Sequence, residues 1–445
     1  MKNPILTTRR NFLRTTLLGG ALSWTVPSFV AQTFDVLHAA TDGALTQVNT
    51  GKDGTILVLI QLAGGNDGLN AVVPYTNDYY YQARPTLGIP HDQVLPLNDT
   101  LGLNPSMTGF KSLFDSGHLS IVNGVGYPNP NRSHFRSTEI WQTASDEDRY
   151  LTNGWIGRYF DNACAGCDAT VGINIGPRLP QAFASATPTG VSIENPDNYR
   201  FVSAGKNDDE ELAYRSMYAP PDDPLGDASG GNSGGSISMV SGTVTLHNGQ
   251  SAVDFLERTA MNAQFSSDKI RAIVAKTRDT FQYPPGPLAR NLQLVARLIT
   301  GGLTSRVYYV SQGGYDTHTF QRGAQDGRLK ELADSVKAFT DDLQASGVFD
   351  RVMIMTFSEF GRRVLENGSR GTDHGAAAPM FLIGPNMKSG LLGAEPSLAP
   401  ADLLDGDIKY NTDFRSVYAS ILQSWLGANS VPILGKQFDT LPILG

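Results

Sequence analysis

The chemistry that this sequence could perform is concentrated in a few short polar segments. Glu359 lies just after an apolar run, and Asp373-His374 lies just before another. Asp316 and His318 are two residues apart, and such residues point to the same side of an extended segment. Carboxylate oxygens and imidazole nitrogens are ligands of divalent metal ions. The pattern predicts a metal site, and the alternative is a set of surface loops with solvated charges.

Two further segments add a carboxylate and a hydroxyl. Asp67 ends a Gly-rich turn after a long apolar run, and this turn lacks the Lys of a phosphate-binding P-loop. A plain Asp-Gly turn is the alternative. Ser133 lies where a helical pattern begins, so free N–H groups and the helix dipole would favour an anion there and activate its hydroxyl. The alternative is that Ser133 only caps the helix, with His134 and Arg136 on the surface.

Apolar runs of strand length adjoin each of these segments. The run at 55–62 is nearly continuous, as in a strand buried on both faces of a parallel sheet. Similar runs lie at 119–125, 306–311, 352–356 and 380–385, and helical periodicity is found at 107–116, 288–298, 322–346 and 413–427. The pattern predicts an α/β fold with a mostly parallel sheet. Loops at one edge of such a sheet converge, so the polar segments should meet there.

Residues 150–290 are less regular and form a predicted insertion. Short elements are expected at 153–162, 170–175 and 190–193, and a long helix is expected at 251–278. A low-complexity stretch of Gly, Ser and Asp occupies 220–236. Cys164 and Cys167 predict a local disulfide in an oxidising compartment. The alternative, a redox centre, would need a strand before the pair and a helix after it.

Length, composition and net charge disfavour several classes of fold and function. The 445 residues allow a large core, and 47 Gly with 25 Pro are too many for a helical bundle. The net charge is −8, and since the first 40 residues are basic, the remainder is more acidic still. Nucleic-acid binding relies on Lys and Arg, so it is disfavoured. No apolar run after residue 40 is long enough to predict a membrane span.

Residues 1–40 have the pattern of an export signal. Arg9 and Arg10 precede a weakly apolar stretch at 16–31 that is rich in Gly, Ser and Thr. This arrangement resembles a twin-arginine signal, and a basic disordered tail is the alternative. Such signals carry proteins that fold, and often load a cofactor, before export. The sequence therefore predicts a periplasmic or secreted protein.

The polar segments together resemble a known family. The motifs are LAGGND, RSHFR, GGYDTH, FSEFGRR and TDHGAAAP. They resemble the twin-arginine-exported DUF1501 family, whose members are uncharacterised, over nearly the whole mature chain. More loosely, the order of strands and polar residues resembles the alkaline phosphatase/sulfatase superfamily. This resemblance implies one alkaline phosphatase-like domain at 41–445, with three layers (α/β/α) and an irregular cap at 150–290 that selects the substrate.

The superfamily resemblance also implies residue roles. Ser133 would be the nucleophile. One metal would be held by Asp67 and Glu359, and the other by Asp316, His318 and His374, with Asp373 beside or instead of His374. The substrate would be bound by Arg132, His134, Arg136 and Arg362. One or two divalent ions are implied, with Zn²⁺ favoured and Mn²⁺ or Ca²⁺ as alternatives.

Two departures from the superfamily pattern stand out. Phe360 occupies the place where the superfamily more often has a metal-binding His. The spacing of Asp316 and His318 is also shorter than usual. The predicted function is an exported metal-dependent hydrolase of phosphate or sulfate esters, small or polymer-linked. The alternative is a catalytically degenerate binding or assembly protein of the cell envelope. A conventional serine hydrolase is less supported, because no Gly-x-Ser-x-Gly motif surrounds Ser133.

Overall fold

The computed structural model describes residues 54–164, 167, 169–186, 190–196, 266–277 and 281–445. The predicted export signal and the low-complexity stretch at 220–236 lie outside these residues, as does most of the helix expected at 251–278. Of that helix, 266–276 is helical.

The described elements follow the predicted order closely. The strands are β1 (Ile56–Leu62), β2 (Val72–Val73), β3 (Leu95–Pro96), β4 (Gly102–Leu103), β5 (Leu119–Gly126), β6 (Gly172–Ile175), β7 (Val191–Ile193), β8 (Val307–Gln312), β9 (Val352–Phe357), β10 (Arg362–Glu366), β11 (Thr372–His374), β12 (Ala378–Ile383), β13 (Gly390–Leu392) and β14 (Thr412–Asp413). The helices are α1 (Gly68–Ala71), α2 (Asp78–Ala83), α3 (Thr108–Asp115), α4 (His134–Thr143), α5 (Trp155–Ala163), α6 (Pro287–Thr300), α7 (Gln321–Ala345), α8 (Phe414–Ser420) and α9 (Ser430–Leu434). A π-helical turn, Ile421–Trp425, continues α8.

A nine-stranded sheet forms the middle of the molecule. Its order is β13-β5-β12-β9-β1-β8-β6-β7, and β14 also pairs with β5. β1 runs parallel to β8 and β9, and β6 runs parallel to β7 and β8. Only β12 is antiparallel to its neighbours, β5 and β9. The mostly parallel sheet is therefore confirmed.

The sheet is buried on both faces, as the continuous apolar run of β1 predicted. Alternate residues from Ile56 to Leu62 enter one hydrophobic core, and Leu57 and Leu59 enter the other. Helices α3, α6 and α7 cover the first face, while α4, α5 and α8 cover the second. Each fully buried large apolar side chain contributes roughly 1.5–3 kcal/mol. Helices on both faces make the three-layer α/β/α architecture that was expected.

The structure describes only part of the predicted cap at 150–290. β6 and β7 lie at one end of the central sheet, and α5 packs on one of its faces. This described part of the insertion extends the sheet rather than covering its edge. The rest of the predicted cap, 197–265, lies outside the described residues.

Two smaller expectations concern the cysteines and the membrane. Cys164 and Cys167 form a disulfide, as predicted. Among the helices described, none combines the length and apolar character needed to cross a bilayer.

Candidate functional site

The predicted site segments meet at one edge of the central sheet. β12 is antiparallel to both β5 and β9, so β5 and β9 point the same way. The carboxyl ends of β1, β5, β8 and β9 thus share an edge with the start of β12. Asp316 follows β8, Glu359 follows β9, His134 follows β5 and His374 precedes β12. This is the edge at which open α/β sheets bind ligands.

Four side chains bring ligand atoms together there. Atoms of His134, Asp316 and His374 lie within 4.8 Å of one another, and among the described residues they form the group of at least three ligands that could hold a metal ion. Nε2 of His374 and Nε2 of His134 lie 3.3 and 3.5 Å from the two carboxylate oxygens of Asp316. Nε2 of His318 is 3.0 Å from Oδ1 of Asp316 and 3.0 Å from Nε2 of His374.

The opposite ring nitrogens of these histidines all face acceptor oxygens. Nδ1 of His134 donates to Glu359 (2.8 Å). Nδ1 of His374 donates to the carbonyl of Arg132 (2.8 Å), and Nδ1 of His318 donates to Asp373 (3.2 Å). Each ring has acceptor oxygens on both sides, since Nε2 also faces the Asp316 carboxylate, and a neutral ring has only one N–H; when that N–H is on Nδ1, Nε2 carries a lone pair. The Nε2 lone pairs are then left facing the Asp316 carboxylate. Histidines that bind metals almost always show this arrangement.

The donor set therefore fits a divalent cation. Nε2 of His134 is buried and has no hydrogen-bond partner. With both protons on Nδ1, the Nε2 lone pairs of His318 and His374 lie 3.0 Å apart and repel, and a positive ion between them relieves that repulsion. Imidazoles with one carboxylate are a common ligand set for Zn²⁺. The residues present thus suit one such ion.

Arg362 holds Asp316 in its ionised form. Partial burial acts to raise the pKa of Asp316, but a hydrogen bond from Arg362 (2.7 Å), together with its charge and the nearby histidines, lowers that pKa to about 2. Arg362 is 1% exposed and also donates to the carbonyls of Gly64, Gly65 and other residues of neighbouring loops. Arg362 was predicted to bind the substrate, and in the structure it is buried and its charge pairs with Asp316.

Glu359 holds His134 and the turn after β1 in place through hydrogen bonds. One carboxylate oxygen, Oε1, accepts from Nδ1 of His134 and from the backbone N–H of Gly64, each at 2.8 Å. Gly64 adopts φ +120°, and a Cβ there would lie 2.4 Å from the backbone nitrogen of Asp316. The turn after β1 can therefore pass this close to Asp316 only with glycine at this position. Glu359, predicted as a ligand, uses Oε1 to orient the imidazole of His134 through Nδ1.

Replacing Glu359 with glutamine should weaken Zn²⁺ binding by roughly 10- to 100-fold. The amide keeps the shape of the side chain but removes the negative charge that makes the His134 ring a stronger ligand. Competition against a chelating dye measures the change. Glu395→Gln is the control, because its exposed carboxylate accepts only from Thr100. Equal affinity in the Glu359 and Glu395 variants would contradict this role.

Phe360 packs against the imidazoles instead of binding a metal. Its ring centroid is 4.9 Å from that of His134 and 4.6 Å from that of His374, and the residue is 2% exposed. The two imidazoles lie 4.4 Å apart, nearly perpendicular. An apolar ring in this place restricts the orientations of both histidines. Phe360 therefore contributes packing to the site and no ligand atom.

Ser133 caps α4, and its neighbours in the chain both contact the site. It is exposed, and its hydroxyl makes no hydrogen bond to any described residue. The carbonyl of the preceding residue, Arg132, accepts a hydrogen bond from Nδ1 of His374, and the following residue is His134. The Arg132 side chain, 35% exposed, donates to the buried Asp407 (2.8 Å). This buried partner anchors the segment that carries Ser133.

Asp67 lies apart from the histidine group. It is 1% exposed, and its Oδ2 accepts from Arg84 (2.6 Å) and from Gln321. Oδ1 of Asp67 and Oε2 of Glu359 are buried without hydrogen-bond partners. These two oxygens were predicted to share a second ion, but a third ligand near both is not found among the described residues. Of the one or two predicted ions, the described residues therefore group three candidate ligands for one, and the second stays a prediction.

The two remaining predicted residues also serve other partners. Arg136, predicted to bind the substrate, is 8% exposed and donates to backbone carbonyls of the 146–149 loop. Asp373 accepts from Asn367 and His318, which lowers its pKa despite slight burial. Neighbours on a strand point to opposite sides, so Asp373 lies behind His318 while His374 enters the group. His134, predicted to bind the substrate, lies instead in the group of candidate metal ligands.

A cavity of about 500 Å³ opens onto these residues. His134, Asp316 and Glu359 contribute to its wall, and Phe135 stands at its mouth with 91% of its surface exposed. The volume suits a small organic ester. The cavity therefore gives a ligand direct access to the candidate metal ligands.

Comparison with known proteins supports the family and leaves the activity open. Residues 249–425 match the model of a family described as "Protein of unknown function (DUF1501)". The predicted resemblance to that family is thus confirmed over less than half of the chain. No curated protein matches the sequence.

Similar solved structures include three of the expected superfamily type. A protein in the alkaline phosphatase superfamily from Vibrio parahaemolyticus has 10% identity and a TM-score of 0.37, covering 92% of this chain and 78% of its own. The C-terminal periplasmic domain of EptC from Escherichia coli, in complex with Zn, has 10% identity, a TM-score of 0.39 and coverages of 90% and 94%. The PsFucS1 sulfatase from Pseudoalteromonas sp. has 8% identity, a TM-score of 0.34 and coverages of 87% and 70%. At such scores, no residue role carries over from them to this chain.

Proposed function

We propose that this chain, whose residues 249–425 match the DUF1501 family model, is a divalent-metal-dependent hydrolase of phosphate or sulfate monoesters. The observation that carries the proposal is the common orientation of three histidines. Each Nδ1 is held by an oxygen, and each Nε2 is turned toward Asp316. Such an arrangement serves a bound cation, and the adjoining cavity admits a ligand to it.

His134, Asp316 and His374 would hold the ion, with His318 next to them, and Zn²⁺ suits this set better than Mn²⁺ or Ca²⁺. When bound, such an ion supplies Lewis-acid polarisation of the ester oxygens. Arg362 keeps Asp316 anionic, and Glu359 keeps His134 in the tautomer with a free Nε2. These buried partners hold the ligands in place before any ion or substrate arrives.

Ser133 would act as the nucleophile. Its Oγ forms a bond to phosphorus or sulfur while its proton passes to solvent, and the ester oxygen leaves and takes a proton from water. A water molecule then attacks the serine ester, releasing phosphate or sulfate and restoring the hydroxyl. The first-turn N–H groups of α4, which have no carbonyl of their own helix to bind, favour the anionic group beside Ser133. With Arg136 and Arg362 buried, these groups and the ion supply the positive potential.

The test is hydrolysis of p-nitrophenyl phosphate and p-nitrophenyl sulfate by the protein with and without Zn²⁺. We expect release of p-nitrophenol from at least one ester by the zinc-loaded protein, and loss of that release after chelation. Elemental analysis of the same samples gives the number of ions per chain. A protein that binds zinc but hydrolyses neither ester contradicts the enzymatic proposal.

A binding protein of the cell envelope is the second candidate. It is favoured by Phe360, which replaces a superfamily ligand, and by Asp67, which is paired with Arg84. In that case the same site would retain an anionic ligand without cleaving it. Titration of inorganic phosphate and sulfate into the zinc-loaded protein, alongside the hydrolysis assay, separates binding from turnover.

We also propose that residues 1–40 export the folded chain by the twin-arginine route. The support is the pair Arg9-Arg10 ahead of an apolar stretch, together with a disulfide that suits an oxidising compartment. Replacing both arginines with lysine should leave the precursor in the cytoplasm. Immunoblots of periplasmic and cytoplasmic fractions measure this, and undiminished export of the double variant would refute the route.

A further inference from the structure

A second cavity adjoins the one at the histidines. It measures about 450 Å³ and lies at the carboxyl ends of β6 and β8, beside α6. Gln61 and Gln142 line both cavities. A ligand whose ester group reaches His134 can therefore extend over the two glutamines into the second cavity.

A short hydrogen-bond chain orients these glutamines. Gln142 donates through Nε2 to the hydroxyl of Tyr309 (3.2 Å), and that hydroxyl donates to Oε1 of Gln61 (2.7 Å). Both glutamines are 8% exposed, yet Nε2 of Gln61 and Oε1 of Gln142 make no hydrogen bond to described residues. Two nearly buried amides thus present one free donor and one free acceptor where the cavities join.

The wall of the second cavity also carries uncharged groups that can form hydrogen bonds. Asn174, 4% exposed, uses its amide nitrogen for the carbonyl of Arg178 (2.8 Å) and for Ser192 (2.7 Å), which leaves its Oδ1 unpaired. Asn291 and Ser311 add an amide and a hydroxyl to the wall. Each of these groups can exchange hydrogen bonds with a neutral polar ligand.

The two charged residues that line this cavity have opposite signs, so the lining has no net charge. Among its lining residues, the exposed Arg178 and Glu194 carry opposite signs, and the others that are polar are neutral. Ile175, Pro177 and Pro180 supply apolar surface between the polar groups. A second anionic group would find no net positive charge here, and a purely apolar group would leave the buried amides unpaired.

We infer that the second cavity is a subsite for an uncharged polyhydroxylated group, such as a glycosyl or polyol residue, that carries the ester. Hydroxyls both donate and accept, so they pair with the free ends of Gln61, Gln142 and Asn174, while their C–H faces contact the apolar wall. The inference rests on the proposed function and adds its substrate class. The ester then belongs to a neutral sugar or polyol rather than to an aryl or fatty alcohol.

Saturation-transfer NMR on the whole zinc-loaded protein tests the subsite without catalysis. The probes are methyl glucoside, methyl galactoside, methyl mannoside and sorbitol, with cyclohexanol as the apolar comparison. We expect transfer to at least one saccharide or to sorbitol, and weaker transfer to cyclohexanol. Asn291→Trp fills the cavity from the half-buried face of α6, and Ser311→Val changes an exposed strand position; both should remove most of the transfer.

The control is Lys330→Ala, an exposed position on α7 whose ion pair is with Asp334. It should leave the transfer as in the unchanged protein. Absence of transfer to every saccharide and to sorbitol would overturn the inference. So would full transfer in both the Asn291 and the Ser311 variants.

Kinetics separate this inference from the proposed function. For glucose 6-phosphate or glucose 6-sulfate relative to the matching p-nitrophenyl ester, Asn291→Trp should lower the ratio of kcat/KM by about tenfold or more. Saccharide binding without hydrolysis of any ester would reject the proposed function and keep the subsite. Hydrolysis of p-nitrophenyl esters without saccharide binding, and with an unchanged ratio, would reject the subsite and keep the function.

Discussion

Replacing Asp316 with alanine should lower the affinity for Zn²⁺ by on the order of 10³-fold or more, equal to about 4 kcal/mol. Asp316 supplies the carboxylate around which the three Nε2 atoms gather, at 3.0 to 3.5 Å. Its removal also leaves the buried guanidinium of Arg362 without its carboxylate partner. That unopposed positive charge then repels any cation held by the histidines.

Isothermal titration with Zn²⁺, supported by elemental analysis, measures this loss. The matched control is Asp334→Ala, which removes a surface carboxylate from α7 and should bind zinc as the unchanged protein does. Circular dichroism shows whether each variant remains folded. If folded Asp316→Ala still binds one zinc per chain at nearly full affinity, the cation lies elsewhere, and the proposed metal centre is refuted.

Replacing Ser133 with alanine should lower kcat for the better p-nitrophenyl ester by about 10³-fold or more, since no covalent ester can then form. Zinc binding should be retained, because the Ser133 hydroxyl contacts none of the described ligands. The distinction matters, since loss of both properties would indicate a disturbed α4 rather than a missing nucleophile. Initial rates and zinc titrations on the same preparation supply the two readouts.

The control for this variant is Ser112→Ala, an exposed serine on α3. It should keep both turnover and zinc binding. Trapping of a phosphorylated or sulfated peptide containing Ser133, detected by mass spectrometry, would add direct support. Turnover in Ser133→Ala equal to that of the Ser112 variant would show that another group, or water itself, attacks the ester.

The sequence correctly predicted the strands and helices around the site. The strands at 119–125 and 352–356 were found at Leu119–Gly126 and Val352–Phe357, and the helix at 322–346 was found at Gln321–Ala345. These elements are specified by apolar periodicity among near neighbours, which the sequence displays directly. The convergence of their loops at one sheet edge follows from parallel pairing, so it too was predictable.

The sequence was less informative about which polar residues are buried. Arg362 and Arg136 have the residue type of an anion clamp, yet both are at most 8% exposed and bind backbone carbonyls. Asp67 is neutralised by Arg84, a residue that no motif had singled out. A charged residue enters the interior only with partners, and those partners came from loops distant in sequence.

By itself, then, the sequence determined the layered α/β architecture, the order of its strands and helices, and the strand ends that carry Asp316, His318 and His374. Only the tertiary structure decided that His134 joins the candidate ligands and that Glu359 contacts its ring across 225 positions of the chain. The physical reason is the range of the interactions involved. Periodicity and turn chemistry act between neighbours, whereas the partner and burial of a polar side chain depend on which distant segments fold against it.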